Sequence, residues 1–165
     1  MYIPPDTSRR SAIRDMILDT LGDDYLNLSL TKLDISENIE TKNTLISYKF
    51  ISGDQEVSIE NVSGMGATDA FFKSVVDHYK DLSSIRSLQL KSFDVKADLL
   101  RSEVGTDAKV SVKTEFCNGY QCATFMATDY SISAACCKCI LNSIEYFLNS
   151  ESAFKKMKLI IEDAK

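Results

Sequence analysis

The stretch Ser63-Gly64-Met65-Gly66-Ala67-Thr68-Asp69-Ala70 holds the residue types best suited to chemistry in this sequence. Glycine lets a backbone come close to a guest, and the free amides at a helix start attract a carboxylate or phosphate through aligned donors and the helix dipole. A small zwitterion or anion held by main chain is the expected guest, and a tight turn with no ligand is the plain alternative. The pattern is not a dinucleotide fingerprint, because the third glycine is absent. The single histidine, His78, lies in a helical segment without a nucleophile signature and is given no role. Cys136 and Cys139 have a formal metal or redox spacing, and Cys117 and Cys122 offer further thiols from a hairpin. Cys136, Cys137 and Cys139 sit inside a continuous apolar helix, so core packing is expected of them, with reduced thiols throughout and neither metal nor cofactor.

These residues must be positioned by a repeated frame. The segment Leu28, Leu30, Leu33, Asp34, Ile35 recurs sixty positions later as Leu88, Leu90, Phe93, Asp94, Val95, and Thr68-Asp69 recurs as Thr128-Asp129. In both copies the apolar alternation shifts phase after the second leucine, as in a strand with a bulge. Each half reads as three strands and a helix. In the first, 26–35, 44–51 and 55–62 are strands with a turn at Ser52-Gly53-Asp54, and Phe72, Val75, Val76 and Tyr79 form one helical stripe, with Thr68 placed to cap it. In the second, 88–99, 108–116 and 120–128 are strands around an Asn118-Gly119 hairpin turn. Its helix, 131–148, carries Lys138, Asn142, Glu145 and Asn149 as one narrow solvated stripe. Segments 34–43 and 100–107 read as polar surface connections.

The expected fold class is therefore α+β, a tandem pseudo-twofold repeat of two β-β-β-α units (25–80 and 85–148) within one domain spanning 1–165. Extra helices flank it at 8–21 and 150–165, with Ile13, Met16, Ile17 and Leu21 on one face of the first and Ala153, Phe154, Met157 and Ile161 on one face of the second. Those faces are expected to dock on the body or on a partner subunit. A net charge of −5 argues against nucleic acid or anionic lipid as partner. No apolar run suggests a membrane span and the first residues lack a secretion signal, so a cytoplasmic protein is expected.

Gly64-Met65-Gly66-Ala67-Thr68-Asp69-Ala70 resembles the Gly-x-Gly-Pro-Val-Asp-Ala motif of the C-terminal regulatory, or dimerisation, domain of 2-isopropylmalate synthase and its citramalate and homocitrate synthase relatives. Gly105-Thr106-Asp107-Ala108 is similar to that domain's Gly-Thr-Asp-Ala segment, and Thr128-Asp129 resembles its last recognisable element. The resemblance covers roughly 25–148. Ala67 and Thr68 stand where the motif has proline and valine. The resemblance implies a homodimer that binds a branched-chain amino acid, leucine or isoleucine, and regulates a synthase catalytic domain. Gly64, Gly66, Ala67 and Asp69 would line the effector loop, Asp69, Asp107 or Asp129 would face the ammonium, and Met65 and Phe72 would offer an apolar wall, a core role being the other reading of Phe72. A structural dimerisation module with a degenerate pocket is the competing function. The chain is not expected to be an enzyme, since one histidine cannot supply a His-x-His metal site.

Overall fold

The phase shift in the two repeated strands becomes the same irregularity in two sheets. The computed structural model describes residues 7–97, 108–119 and 121–163. In it, α1 (Thr7–Leu21) leads through a short 3-10 turn to β1 (Leu28–Asn38), β2 (Asn43–Ser52) and β3 (Gln55–Gly64). These three form an antiparallel sheet in chain order, followed by α2 (Ala67–His78) and the short α3 (Ser83–Arg86). A second sheet in chain order follows, β4 (Gln89–Ala97), β5 (Val110–Cys117) and β6 (Cys122–Asp129), then α4 (Ile132–Asp163). The register slips between Leu30 and Lys32 in β1 and between Leu90 and Ser92 in β4, sixty positions apart. A break in alternation keeps the apolar set on one face only if an extra residue is inserted, so the duplication is carried in the backbone itself.

Helices α2 and α4 share one core with both sheets. Phe71 and Val75 of α2 are fully buried with Ile46, Tyr48 and Phe50 of β2, and the Tyr48 and Phe71 rings lie 4.4 Å apart. Phe72 reaches the other way, to Phe116 of β5 at 5.6 Å, which gives it the core role that competed with a pocket wall. Helix α4 packs on β5 and β6 and touches β1, α1, α2 and α3. Its Cys136, Cys137 and Cys139 are buried thiols within this core and outside any disulfide, as expected of apolar fillers. Burial raises the Cys137 thiol to about 12, which leaves it protonated and inert.

Four expectations need correction. The last two helices are one continuous 32-residue helix. Asn149, which read as a boundary, is only 2% exposed and donates to the Glu145 carbonyl one turn back, so it continues the helix. The first connection, 34–43, is mostly strand, because β1 runs to Asn38 and pairs with β2 to a turn at 39–42. The polar stripe of α4 is solvated only in part: Asn142 is exposed and the half-buried Lys138 pairs with Asp129, while Glu145 and Asn149 bond the chain at 25–28. Finally, Cys117 and Cys122 are disulfide-bonded rather than reduced, because they are direct partners across the hairpin, 4.1 Å apart at Cα. The connection at 100–107 lies outside the described residues. Among the described residues no helix is long and apolar enough to cross a membrane.

Candidate functional site

The glycine turn joins the end of β3 to the start of α2, and its two glycines have different physical reasons. A Cβ on Gly64 would stand 2.7 Å from the Ala70 Cβ and 2.9 Å from its Cα and amide nitrogen. That glycine lets strand and helix close on each other. Gly66 has nothing within 4 Å of the same added atom, and its backbone is extended (φ −175°), a conformation any residue adopts. Open space, not folding, surrounds it. Gly66 occupies the cap position of α2, its carbonyl accepting the Ala70 amide at 3.0 Å, and no side chain caps the helix. First-turn amides have no partner within a helix, and this start lies beside Met65, which is 85% exposed.

The other expected residues fall into distinct settings. Thr68 is the second residue of α2 and not its cap; its hydroxyl reaches the Cys136 thiol in the first turns of α4, which makes the two helix starts neighbours. Ala67 is buried beneath the turn. Asp69, also in the first turn, forms an ion pair with Lys73 at 2.9 Å one turn on. A carboxylate there favours the helix but opposes a second anion. Asp129 is not at the glycine turn. It stands at the end of β6, where it accepts the Ser131 amide at 3.1 Å and the Lys138 ammonium. The Lys138 hydrogen bond, with help from the Ser131 amide, holds its carboxyl below the usual range. Ser131 in turn caps α4, accepting the Ala134 amide on its hydroxyl at 3.3 Å and the Ala135 amide on its carbonyl at 2.9 Å. Asp107 lies outside the described residues.

The duplicated helix starts have therefore diverged. Asp129 and Ser131 close the start of α4 with side chains, whereas the start of α2 is open. Sequence reasoning missed a second polar cluster altogether. Tyr25 donates to one Glu145 carboxylate oxygen at 2.9 Å and the Leu28 amide donates to the other at 2.8 Å. The Asn149 amide brackets Leu26, accepting its N–H and donating to its carbonyl, both at 2.8 Å. Two polar residues a turn apart on an otherwise apolar helix were the available signal. They latch the chain entering β1 to the middle of α4.

Two apolar surfaces also stand open. All nine residues of β4 are exposed, although Leu90 and Val95 face the same side as their buried partners Phe116 and Val112 on β5. A cleft of about 670 Å³ opens between α1, α3 and α4, walled by Ile13, Met16, Phe154 and Met157. The docking expected of the flanking helices is met in part: Ile17 and Leu21 of α1 bury against Ala153 of α4, while Met16, Phe154 and Ile161 remain exposed. Among known proteins, the family model of the LeuA allosteric (dimerisation) domain matches residues 9–148. No curated protein matches the chain.

Proposed function

From the chain's membership of the LeuA allosteric (dimerisation) domain family, we propose that it binds a branched-chain amino acid, leucine or isoleucine, at the glycine turn and transmits that occupancy through a homodimer to a synthase catalytic domain. The domain is a regulatory and dimerisation module and not a catalytic one. The observation that carries the effector reading is the start of α2, uncapped and open at Gly66, beside a duplicate start that its own side chains close. The amides of that turn take the carboxylate, and Asp69 faces the ammonium. Asp129 is committed to Lys138 and the α4 cap, so its part is to hold the neighbouring helix start in place.

The dimer rests on the apolar row of β4, which stays exposed among the described residues and which a second copy covers. The groove beside α1 offers a seat for the catalytic part, and a cytoplasmic location belongs to the same reading. The test is a thermal-shift panel of the protein amino acids, run beside a sizing measurement and amide NMR. Leucine or isoleucine at millimolar concentration raises the midpoint by mass action and moves the 66–69 amides, and Gly66→Asp removes the response of those amides. A midpoint unmoved by every amino acid leaves the competing reading, a dimerisation module whose pocket has degenerated.

A further inference from the structure

A second cleft, about 280 Å³, lies where α1, the chain entering β1, β6 and α4 meet. Its polar lining is Arg14, Tyr25, Asn142 and Glu145, and its apolar lining is Phe125, Met126 and Tyr146. Arg14 hydrogen-bonds the Tyr25 hydroxyl, and that hydroxyl donates to Glu145, so one phenol holds a cation and an anion on its two sides. Burial, and then the Glu145 charge, push the Tyr25 hydroxyl up, which keeps it a neutral donor at physiological pH. A carboxylate has about four lone-pair sites, and the Tyr25 and Leu28 donors take two of those on Glu145. The guanidinium has five N–H donors, more than one phenol oxygen can accept. Among the described residues the cleft thus keeps unspent donors and unspent acceptors next to an apolar wall.

The geometry points to this cleft as a second small-molecule site, separate from the glycine turn, that takes a zwitterion with a short apolar side chain: carboxylate on Arg14 and the Asn142 amide, ammonium on Glu145, side chain against Phe125 and Met126. A simple carboxylic acid would meet Glu145 unpaired, and a simple amine would meet Arg14. A molecule that carries both charges satisfies both poles. The cleft is bounded by the Tyr25 and Leu28 latch, so its occupancy bears on how the N-terminal helix sits against α4.

The experiment uses the full chain carrying Gly66→Asp, which silences the turn, and follows side-chain and amide resonances of Tyr25, Asn142 and Glu145 during titration. The probes are leucine, 4-methylpentanoate, which is leucine without its ammonium, and 3-methylbutylamine, which is leucine without its carboxylate. Leucine shifts these resonances to saturation, and each truncated probe binds about tenfold or more weakly. Arg14→Gln, an exposed position on α1, weakens leucine about tenfold or more while leaving the unfolding midpoint unchanged. Equal binding of leucine and 4-methylpentanoate overturns the proposal, as does leucine that moves nothing near the cleft. Responses at residues 64–69 that appear in the unaltered chain and vanish in Gly66→Asp report on the turn, and responses at the cleft that persist in Gly66→Asp report on the cleft, so either site can fail without the other.

Discussion

Gly64 and Gly66 are two residues apart, and replacing each by alanine should give opposite results. At position 64 the new methyl would overlap Ala70 at 2.7 Å from its Cβ and 2.9 Å from its Cα and nitrogen. Two of those three atoms are backbone, so no rotamer relieves the contact and β3 must move away from α2. Overpacking of this kind costs about 2 kcal/mol, which in a domain of this size lowers the thermal midpoint by roughly 4–8 °C. At position 66 nothing lies within 4 Å and the backbone is extended, so Gly66→Ala stays within about 0.5 kcal/mol of the parent. Urea unfolding followed by far-ultraviolet circular dichroism measures both, with an unchanged slope showing that the unfolded state is the same. The double change Gly64→Ala with Ala70→Gly should recover only part of the loss, because the Ala70 Cα and nitrogen contacts persist. A Gly64→Ala variant as stable as the parent, or a Gly66→Ala variant that loses as much, would refute the division of labour between the two glycines.

Asn149→Ala strands the part-buried N–H and carbonyl of Leu26 and should cost about 1–2 kcal/mol in urea unfolding, against near-neutrality for alanine at exposed Asn142. Burial alone would raise the Glu151 carboxyl, but Lys155 and the Ser84 amide outweigh it and hold it at about 2. An unfolded glutamate titrates near about 4.3, so the stability Glu151 contributes is complete above that pH and is lost as pH falls toward about 2. The Glu151→Gln variant should accordingly show a flatter decline in thermal midpoint across that acid interval, and an identical decline would remove Glu151 from the account.

The periodic features of this chain were legible because each obeys a local rule. The phase shift at Thr31 and Lys91 predicted a bulge from alternation alone, and both bulges are present. The Asn118-Gly119 pair located the hairpin and Gly119 has a positive φ, +87°, but Asn118 does not, and the strands close at Cys117 opposite Cys122, so the turn is centred one residue later than the pair implied. What could not be read depends on who sits opposite. Asn149 looked like a helix boundary since its partner, Leu26, lies 123 residues earlier in the chain. Glu145 looked solvated for the same reason, its acceptors being used by Tyr25 and Leu28. Cys117 and Cys122 flank a turn that the sequence located, yet whether they face each other depends on register, which pairs them directly. At the candidate site, the glycine turn was legible as a whole and its internal assignments were not. Thr68 has a cap's composition but falls inside the helix, two residues after the true cap.

The contrast between the two helix starts bears on the guest proposed for the first of them. Side-chain capping stabilises a helix by about 1 kcal/mol, and the second unit takes that stabilisation through Ser131 while Asp129 braces the approach. The same fold position in the first unit forgoes it, with glycine at the cap and open space around it. A binding site must leave its donors unmade in the empty state, and a domain that already has a workable cap in its own duplicate has a structural precedent for closing the site. Because Thr68 touches Cys136, a carboxylate that tightens the first turn of α2 also acts on the first turns of α4. That helix runs unbroken to the Glu145 and Asn149 latch on the chain entering β1 and to the contact with α1. Occupancy of one turn is thereby connected, through a single rigid element, to the flanking helix layer and its apolar groove.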